Sequence, residues 1–405
     1  MRIQKVRNLE GGEALTIGAS GQRVRFLLQD SEEDGSFAGG NWDRAIAMPG
    51  SVSLRRVPAG WSIVDTHGFR THLEGKSVSG FAPLLIREED EAGNPGPIML
   101  NGKTFPGSLR LVPRTDAGPQ SFDVVNLAPL ESYLPGVLTK EIYGHWNEET
   151  HAAQAISARS FACSEIHLFR KTRHYDVSNN ASSQMYGGAD AHSRAVEGVT
   201  RTRGLVLGWK GLLVPGYYSA CCGGLAADAR HAIGQHPAND IAPLRGRAGE
   251  DACVTLPVCR WSVERSANEV LRRLRAYGKD RSLPDLAALE SIASLEPADL
   301  NEHERPIRYT LADRSGRTAN VSEHTLRRGW DYAVRGYPSP EKRLRSGFIG
   351  GVTMGRRRVV LNGRGWGHGA GLCQYGAEQL AKEGKSFQEI LNWYYPGADI
   401  VMGYS

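Results

Sequence analysis

The sequence predicts a fold of the α+β class, in which a β-rich N-terminal segment precedes a mixture of helices and strands. Short apolar runs separated by Gly, Asp, Asn and Pro occupy residues 1–120 and indicate strands. A run from His151 to about Phe169 contains neither Gly nor Pro and predicts a long helix. Strand patterns return at residues 203–220. Strands and helices that occupy separate stretches, without an internal repeat, are typical of α+β proteins.

The N-terminal strands are predicted from three apolar runs, at Val24–Leu28, Ile98–Leu100 and Leu109–Val112. The stretch 31–40, rich in glycine and acidic residues, predicts a loop. Residues 1–104 contain no motif that indicates chemistry. We therefore assign them to a β-rich N-terminal module without an assigned role.

Residues 122–170 are expected to be helical. Pro129 suits the opening of a short helix, and Pro135 with the glycine after it is expected to interrupt that helix. Asn147 is a favourable N-cap for the next helix. Along that helix, small and apolar side chains form one stripe with Arg159 in its middle. Because an unpaired buried charge is expensive, Arg159 needs a carboxylate or phosphate partner, in a structural ion pair or in a substrate.

The remaining elements are predicted from the same kinds of signal. In chain order they are strands within 203–220, an amphipathic helix at Ala267–Tyr277, strands at Ile307–Leu311 and Arg358–Leu361, a helix after Cys373 that stops at Gly384, and a helix opened by a capping box at Ser386–Glu389.

Composition limits the classes of partner. With 405 residues, 40% of them hydrophobic, the chain can bury a substantial core in two or three domains. The net charge of +5 is mild and no Lys/Arg block occurs, so a nucleic-acid partner is not expected. No segment approaches the roughly 18 apolar residues of a transmembrane helix. The first residues contain no apolar core of a secretory signal, so none is expected in this chain.

The most distinctive segment is Gly363–Gly371, which reads GRGWGHGAG and is named the glycine loop below. If it were extended, one face would be bare backbone and the other would present Arg364, Trp366 and His368. Bare backbone predicts close approach by a ligand or by another chain segment. The three side chains suit a sugar or a polyanion. The alternative is a tight glycine turn packed against the core.

Glu141 is the candidate catalytic acid. It has four apolar or aromatic neighbours in sequence, at Leu138, Ile142, Tyr143 and Trp146. Such surroundings favour a protonated carboxyl, which general acid catalysis requires. The alternative is an ordinary solvated glutamate.

Four motifs in the chain resemble the signature of the SpoIID/LytB family (stage II sporulation protein D). In chain order they are LESYLPGVLTKE at Leu130–Glu141, AQAISARSFA at Ala153–Ala162, GRGWGHGAGLCQYG at Gly363–Gly376 and ILNWYYPG at Ile390–Gly397. The resemblance covers a SpoIID/LytB-like domain at 105–405, with a divergent insertion of helices and strands at about 262–330. It departs from the family pattern at Ala226, Leu372 and Cys373.

The resemblance implies a peptidoglycan lytic transglycosylase of the cell envelope that cleaves glycan strands, with Glu141 at the position of the catalytic glutamate. In that reaction the C6 hydroxyl of the sugar attacks C1 and leaves a 1,6-anhydromuramyl product. One carboxyl then serves as acid and afterwards as base, whereas ordinary glycoside hydrolysis needs two carboxylates. No cofactor is required. One alternative is a non-catalytic cell-wall-binding enhancer of an N-acetylmuramoyl-L-alanine amidase. Another is a cytosolic polysaccharide-binding protein.

Substrate-binding side chains are expected on both sides of a glycan cleft, at Tyr133, Arg159, Trp366, His368 and Gln374. His368 and Glu141 are expected to lie within reach of one sugar unit. His368 either contacts substrate or assists proton transfer, and the alternative is a structural histidine bonded to the loop backbone. The ring of Trp366 either stacks on a sugar or belongs to the core.

The resemblance also implies a possible structural zinc site, because some relatives have one near the active cleft. The candidate ligands are Cys222, Cys253 and Cys259. Tetrahedral zinc needs a fourth ligand, for which the candidates are His231, His236, Cys221 or water. The alternatives are one disulfide among the three cysteines, or free thiols. Cys373 beside the glycine loop is a candidate reactive thiol, with a buried, inert thiol as the alternative.

Overall fold

The computed structural model describes residues 2–6, 14–19, 22–29, 42–57, 60–74, 76–77, 80–117, 121–355 and 357–404. It confirms the mixed α+β class, with about 30% helix and 32% strand in several sheets. The loop predicted at 31–40 lies outside the described residues. The chain forms two compact units. Unit 1 comprises Met1–Trp146 with Ala162–Arg203, and unit 2 comprises Asn147–Phe161 with Gly204–Ser405. The domain boundary after residue 104 stays a prediction.

Unit 1 is built mainly from short antiparallel strands. They are β1 (Arg2–Val6), β2 (Leu15–Ile17), β3 (Arg23–Leu28), β4 (Ile46–Pro49), β5 (Val52–Val57), β6 (Gly60–Asp65), β7 (Arg70–Glu74), β8 (Lys76–Ser77), β9 (Gly80–Phe81), β10 (Leu84–Glu89), β11 (Pro95–Gly96), β12 (Ile98–Leu100), β13 (Lys103–Phe105), β14 (Ser108–Pro113) and β15 (Phe122–Leu127). One sheet has the order β1-β15-β14-β10-β3-β4, with β11 paired to β10, and another has the order β13-β12-β2-β5-β6-β7. The three strands predicted in this region are confirmed as β3, β12 and β14.

Strand β15 corrects the prediction that helix begins at residue 122. Phe122, Val124 and Val125 are buried, and the strand pairs with β14 on one side and β1 on the other. Aromatic and β-branched side chains suit a central strand with buried faces. The helical region therefore starts only after Leu127.

Helix α1 (Leu130–Glu141) starts after Pro129 as predicted, but the interruption expected at Pro135 is wrong. A proline in the second turn removes one backbone hydrogen bond, and here the helix continues through it. The glycine that follows has a packing role, because a Cβ on Gly136 would lie 2.1 Å from the carbonyl oxygen of Gly188. Helix α1 therefore packs directly against the segment that precedes helix α3 (Ser193–Arg201).

Helix α2 (Glu148–Phe169) begins at the predicted cap, where Asn147 Oδ1 accepts the N–H of Glu149 at 2.9 Å. Its residues 148–161 belong to unit 2 and 162–169 to unit 1. Among the helices in the described part of the chain, none combines the length and the apolar character needed to cross a bilayer.

Unit 2 adds the remaining helices and strands. They are β16 (Leu205–Trp209), β17 (Leu212–Leu213), β18 (Tyr218–Ser219), α4 (Ala229–Ala232), β19 (Arg260–Ser266), α5 (Ala267–Asp280), α6 (Pro284–Ala288), β20 (Ser294–Leu300), β21 (Pro306–Ala312), β22 (Thr318–Ser322), α7 (Glu323–Trp330), β23 (Ile349–Met354), β24 (Arg358–Arg364), β25 (Leu372–Cys373), α8 (Gln374–Lys382), α9 (Phe387–Tyr394) and β26 (Asp399–Met402). The predicted stop at Gly384 and the capping box at Ser386–Glu389 are confirmed.

Two hydrophobic cores stabilise unit 2. The first gathers the start of α2, the cysteines, α8 and α9. The second lies among β19–β24 with helices α5 and α7. Strand β19 follows the alternation of a half-buried strand, burying Trp261, Val263 and Arg265 in turn. The glycine loop begins with the last two residues of strand β24 in the second core and leads into strand β25, which pairs in parallel with β18.

Candidate functional site

Glu141 is the last residue of α1 and is partly exposed. Its Oε1 accepts the backbone N–H of Met185 at 2.8 Å. Met185 is itself exposed, so this hydrogen bond holds the carboxyl at the surface of unit 1. A carboxyl fixed by a backbone donor has a defined orientation, which proton transfer to a substrate requires.

Tyr133 of α1 contacts the residues next to Met185, the residue that donates to Glu141. The Tyr133 hydroxyl donates to Gln184 Oε1 at 2.9 Å, and its ring lies 4.8 Å from the ring of Tyr186. Burial raises the pKa of Tyr133 well above its usual value, and the nearby Tyr186 and Glu141 act in the same direction. Tyr133, predicted to bind substrate, is thus buried and positions the residues around Glu141.

Exposed rings lie close to Glu141 in the chain. Tyr143 is 53% exposed and its ring lies 5.7 Å from that of His145 and 5.4 Å from that of the buried Trp146. Aromatic faces beside a carboxyl are suited to stacking on sugar rings. The sequence analysis named Tyr143 only as an apolar neighbour, and the residue type together with its adjacency to Glu141 was the available signal.

Arg159 is fully buried in unit 2 at the centre of the predicted small-residue stripe. Its Nη1 donates to the backbone carbonyl of Leu205 at 3.1 Å. Gln374, at the start of α8, is also buried, and its amide lies 3.4 Å from that of Gln154 on α2. Both side chains therefore contact other segments of unit 2.

The glycine loop is not an extended strand. Strand β24 ends at Arg364, and the next four odd-numbered glycines have positive φ angles of 67–102°. Only glycine adopts such angles at low cost, which explains the alternation. Cys221 exchanges two backbone hydrogen bonds with Trp366, of 2.7 and 3.0 Å. The close approach predicted for this loop is therefore made by another segment of the same chain.

Within the glycine loop, Trp366 and His368 have different surroundings. Trp366 is 45% exposed, and the guanidinium of Arg345 lies 4.9 Å from its ring centre. His368 Nδ1 accepts the N–H of Ala370 at 3.1 Å. This matches the alternative of a structural histidine bonded to the backbone of the loop. Burial lowers the pKa of His368 to about 4, against a smaller opposing effect of its hydrogen bond to the Tyr218 backbone. The histidine is therefore neutral near pH 7.

Protonation of His368 is expected to destabilise the folded protein in acid. The pKa of His368 is about 4 in the folded protein, and the ordinary value of 6.5 applies to the unfolded chain. Between these two pH values the unfolded chain therefore binds a proton that the folded protein does not. Stability is therefore complete above pH 6.5 and falls as the pH drops toward 4. The free energy of unfolding of unit 2, measured with urea, should decrease between pH 7 and 4.5 by about 2 kcal/mol more in the wild type than in His368→Asn.

His368→Asn is a suitable comparison because an Asn side chain also accepts the N–H two residues on and does not titrate. An equal decrease in the free energy of unfolding of the wild type and the variant would show that protonation of His368 does not destabilise the folded protein.

Arg305, which the sequence did not single out, joins the glycine loop to the segment at residues 222–225. It is almost fully buried and donates to the backbone carbonyls of Cys222 (2.5 Å), Leu225 (2.9 Å) and His368 (3.3 Å). Glu323 lies 3.7 Å away, and burial raises the pKa of its carboxyl. Arg305 has no distinctive sequence context, because its partners are remote in the chain.

Five of the six cysteines lie close together and buried in unit 2. Cys253 Sγ lies 3.4 Å from Cys221 Sγ and 3.7 Å from Cys222 Sγ. Two groups of donor atoms, each within 4.8 Å, share Cys253. They are Cys222, Asp251, Cys253 and Cys373 in one group, and Cys221, Cys253 and Cys259 in the other. The donor set thus fits a thiolate-binding metal such as zinc. His231 and His236, weighed as fourth ligands, belong to neither group.

The candidate residues fall into two sets. Glu141 and Tyr133 belong to unit 1, whereas Arg159, Trp366, His368, Gln374 and the cysteine cluster belong to unit 2. The expectation that Glu141 and His368 reach one sugar unit stays a prediction.

Comparison with known proteins agrees with the motifs. The family model described as SpoIID, Stage II sporulation protein, matches residues 119–209. An uncharacterised protein of Brachyspira hyodysenteriae is 29% identical over 75% of this chain and 73% of its own length. The amidase enhancer of Bacillus subtilis is 23% identical over 66% of this chain but only 40% of that protein.

A further relative is stage II sporulation protein D of Bacillus subtilis, which is 48% identical over 42 residues, or 10% of this chain and 12% of that protein. The matched family segment contains Glu141, its partner Met185 and Tyr133. Residues 119–209 therefore match the SpoIID family, in agreement with the resemblance of the motifs to the SpoIID/LytB family.

Proposed function

We propose that this protein is a lytic transglycosylase of the cell envelope that cleaves the glycan strands of peptidoglycan with Glu141 as its general acid and base. The observation that carries the proposal is the position of the Glu141 carboxyl, partly exposed at the end of α1 and oriented by the Met185 N–H at 2.8 Å. Glu141 also lies inside the segment that matches the SpoIID family model, which supports the proposal.

One carboxyl is sufficient for this reaction. Protonated Glu141 gives its proton to the glycosidic oxygen as the C1–O bond breaks, and positive charge develops at C1. The C6 hydroxyl of the same sugar then bonds to C1, and the Glu141 carboxylate takes up the hydroxyl proton. The products are a 1,6-anhydro sugar and a new chain end, and the enzyme returns to its starting protonation state without consuming water.

The surface around Glu141 supports a sugar substrate. Tyr143 offers an exposed ring two residues from the carboxyl, and Met185 offers an exposed apolar side chain beside it. Sugar rings have apolar faces that pack on such groups. In this arrangement the backbone hydrogen bond orients the acid while the neighbouring side chains hold the sugar.

The second candidate function is enhancement of an amidase without catalysis by this protein. Its support is the likeness to a protein named amidase enhancer, which covers 66% of this chain. In that case the protein would bind peptidoglycan and raise the activity of an N-acetylmuramoyl-L-alanine amidase.

Product analysis separates the two functions. Purified protein is incubated with intact sacculi and with glycan strands freed of stem peptides, and the products are examined by mass spectrometry. Lytic transglycosylase activity predicts new 1,6-anhydro ends. Binding to either substrate without new ends, together with faster peptide release when an amidase is added, would instead identify an enhancer.

A further inference from the structure

We propose that unit 2 binds a phosphodiester polymer on a surface beside the glycine loop. The surface is formed by Arg260, Lys342, Arg343, Arg345 and Arg364, and is named the arginine surface below. Arg364 is partly exposed and the other four residues are exposed. The inference is independent of the proposed glycan cleavage, because it requires binding and no catalysis.

Positive charge is concentrated in the stretch of chain that contains this surface. Residues 260–364 have 21 lysines and arginines against 13 acidic residues, a net charge of +8, whereas the whole chain carries +5. Nineteen of these 21 residues are arginines. Arginine presents a planar fork of N–H donors that matches the oxygens of a phosphate. A surplus confined to one stretch and made almost entirely of arginine favours an anionic partner for that stretch.

Two cations of the arginine surface face each other across a pair of strands. Arg260 on β19 lies directly opposite Arg364 on β24, so both side chains point to the same face of the sheet. The N–H of Gly365 donates to the carbonyl of Cys259 at 2.7 Å and holds the two strand ends together. Like charges in directly opposite positions destabilise a sheet. An anion bound by both guanidinium groups would remove this repulsion.

Arg345 brings a third guanidinium group to the same place. Its backbone carbonyl accepts the N–H of Gly367 at 2.9 Å, and the hydroxyl of Ser346 donates to the carbonyl of Arg364. Its guanidinium lies 4.9 Å from the ring centre of Trp366. Three separate segments therefore place arginines around the start of the glycine loop. The oxygens of a tetrahedral phosphate accept hydrogen bonds from several directions, whereas one arginine fork already satisfies a planar carboxylate.

The protein itself supplies no anion for these cations. Among the described residues, no carboxylate lies within ion-pair distance of any of the five cations of the arginine surface. Glu264 is on the same face of β19 as Arg260, but it pairs with Arg358. Lys342 and Arg343 continue the positive surface away from the strand pair, so a ligand with several charges fits better than one phosphate.

The surroundings of the arginine surface favour a polymer over a membrane or a nucleic acid. Within the described residues of 301–364, no large apolar side chain is exposed, although binding to a lipid surface depends on such side chains. Trp366 is 45% exposed, but the guanidinium of Arg345 lies over its ring. Proteins that bind single-stranded nucleic acids offer open aromatic rings on which bases stack. A phosphodiester chain without bases therefore fits this surface best.

Binding of labelled poly(glycerol phosphate) to the full-length protein, followed by fluorescence anisotropy, tests the proposal. The variant Arg260→Gln/Arg345→Gln/Arg364→Gln should raise the Kd about tenfold or more relative to the wild type. The wild type should also bind about tenfold or more weakly when NaCl rises from about 50 to about 200 mM, because phosphate contacts release counterions. No binding by the wild type, or equal binding by the triple variant, would overturn the proposal.

The matched control removes the same charge from other exposed positions of unit 2. It is Arg272→Gln/Arg281→Gln/Arg314→Gln, with residues on α5, directly after α5 and in the turn between β21 and β22. This control should bind as the wild type does. An equal loss of binding in both triple variants would attribute the effect to net charge and contradict a defined surface.

Two further comparisons test the role of Arg260 and the class of ligand. Arg260→Gln removes one of two facing cations, so without polymer the urea midpoint of unit 2 should rise while the affinity for poly(glycerol phosphate) falls. A lower midpoint would instead identify Arg260 as a structural residue. At equal charge concentration, tighter binding to polygalacturonate, single-stranded DNA or phosphatidylglycerol vesicles than to poly(glycerol phosphate) would replace the proposed ligand by a carboxylated glycan, a nucleic acid or a membrane, respectively.

Discussion

Glu141→Gln is expected to lower the rate of glycan-strand cleavage by about 100-fold or more while the protein remains folded. General acid–base catalysis by one side chain contributes roughly 100- to 10,000-fold. Here the same carboxyl serves in both halves of the reaction, so both lose their proton carrier. An amide neither protonates the glycosidic oxygen nor accepts the proton of the C6 hydroxyl.

The fold is expected to tolerate this change because the amide oxygen of Gln still accepts the Met185 N–H, and the side chain is partly exposed. The measurement is the release of 1,6-anhydro ends from glycan strands, compared at equal concentration of folded protein. Glu197→Gln, an exposed glutamate on α3 of the same unit, is the matched control and should retain full activity.

Two outcomes would remove Glu141 from the mechanism. One is a Glu141→Gln protein that releases anhydro products at the wild-type rate. The other is an equal loss in the Glu197→Gln control, which would attribute the effect to charge or handling. Retained binding of Glu141→Gln to peptidoglycan, with cleavage lost, would match the proposal.

The local features of this protein could be predicted from its sequence, whereas the partners of its candidate site could not. The cap at Asn147, the helix stop at Gly384 and the capping box at Ser386–Glu389 depend on neighbouring residues, and all three were predicted. The prediction of helix from residue 122 failed because strand β15 is stabilised by pairing with β1 and β14. Pairing between distant strands leaves no local signal.

The same distinction applies to the functional residues. Glu141 could be chosen from its motif, but Met185, which orients it, lies 44 positions away in sequence. Arg305 contacts carbonyls that lie 63–83 positions away. The glycine alternation correctly predicted close approach by another chain segment. The extended conformation considered for it is not adopted, because the four glycines after Arg364 have positive φ angles, as in the tight turn given as the alternative.

Gly371→Ala is expected to destabilise unit 2 by about 3 kcal/mol or more. A Cβ at this position would lie 2.0 Å from the carbonyl oxygen of Tyr217, and the φ angle of 67° is itself costly for alanine. The Tyr217 carbonyl cannot retreat freely. It accepts the N–H of Leu372 at 2.9 Å and the hydroxyl of Tyr395 at 2.6 Å. The first bond holds strand β25 to this segment, and the second holds the chain after α9 to it.

Gly397→Ala separates the steric effect from the backbone effect. Gly397 has a similar φ angle of 79°, but a Cβ there would meet nothing within 4 Å. Replacing it should therefore lower the stability of unit 2 only by the cost of a left-handed backbone angle in alanine, about 1 kcal/mol. Urea unfolding of both variants, followed through the transition of unit 2, measures the difference directly. If the two variants lost the same stability, the Tyr217 carbonyl would have to move without cost, and the glycine at position 371 would be required only for its backbone angle.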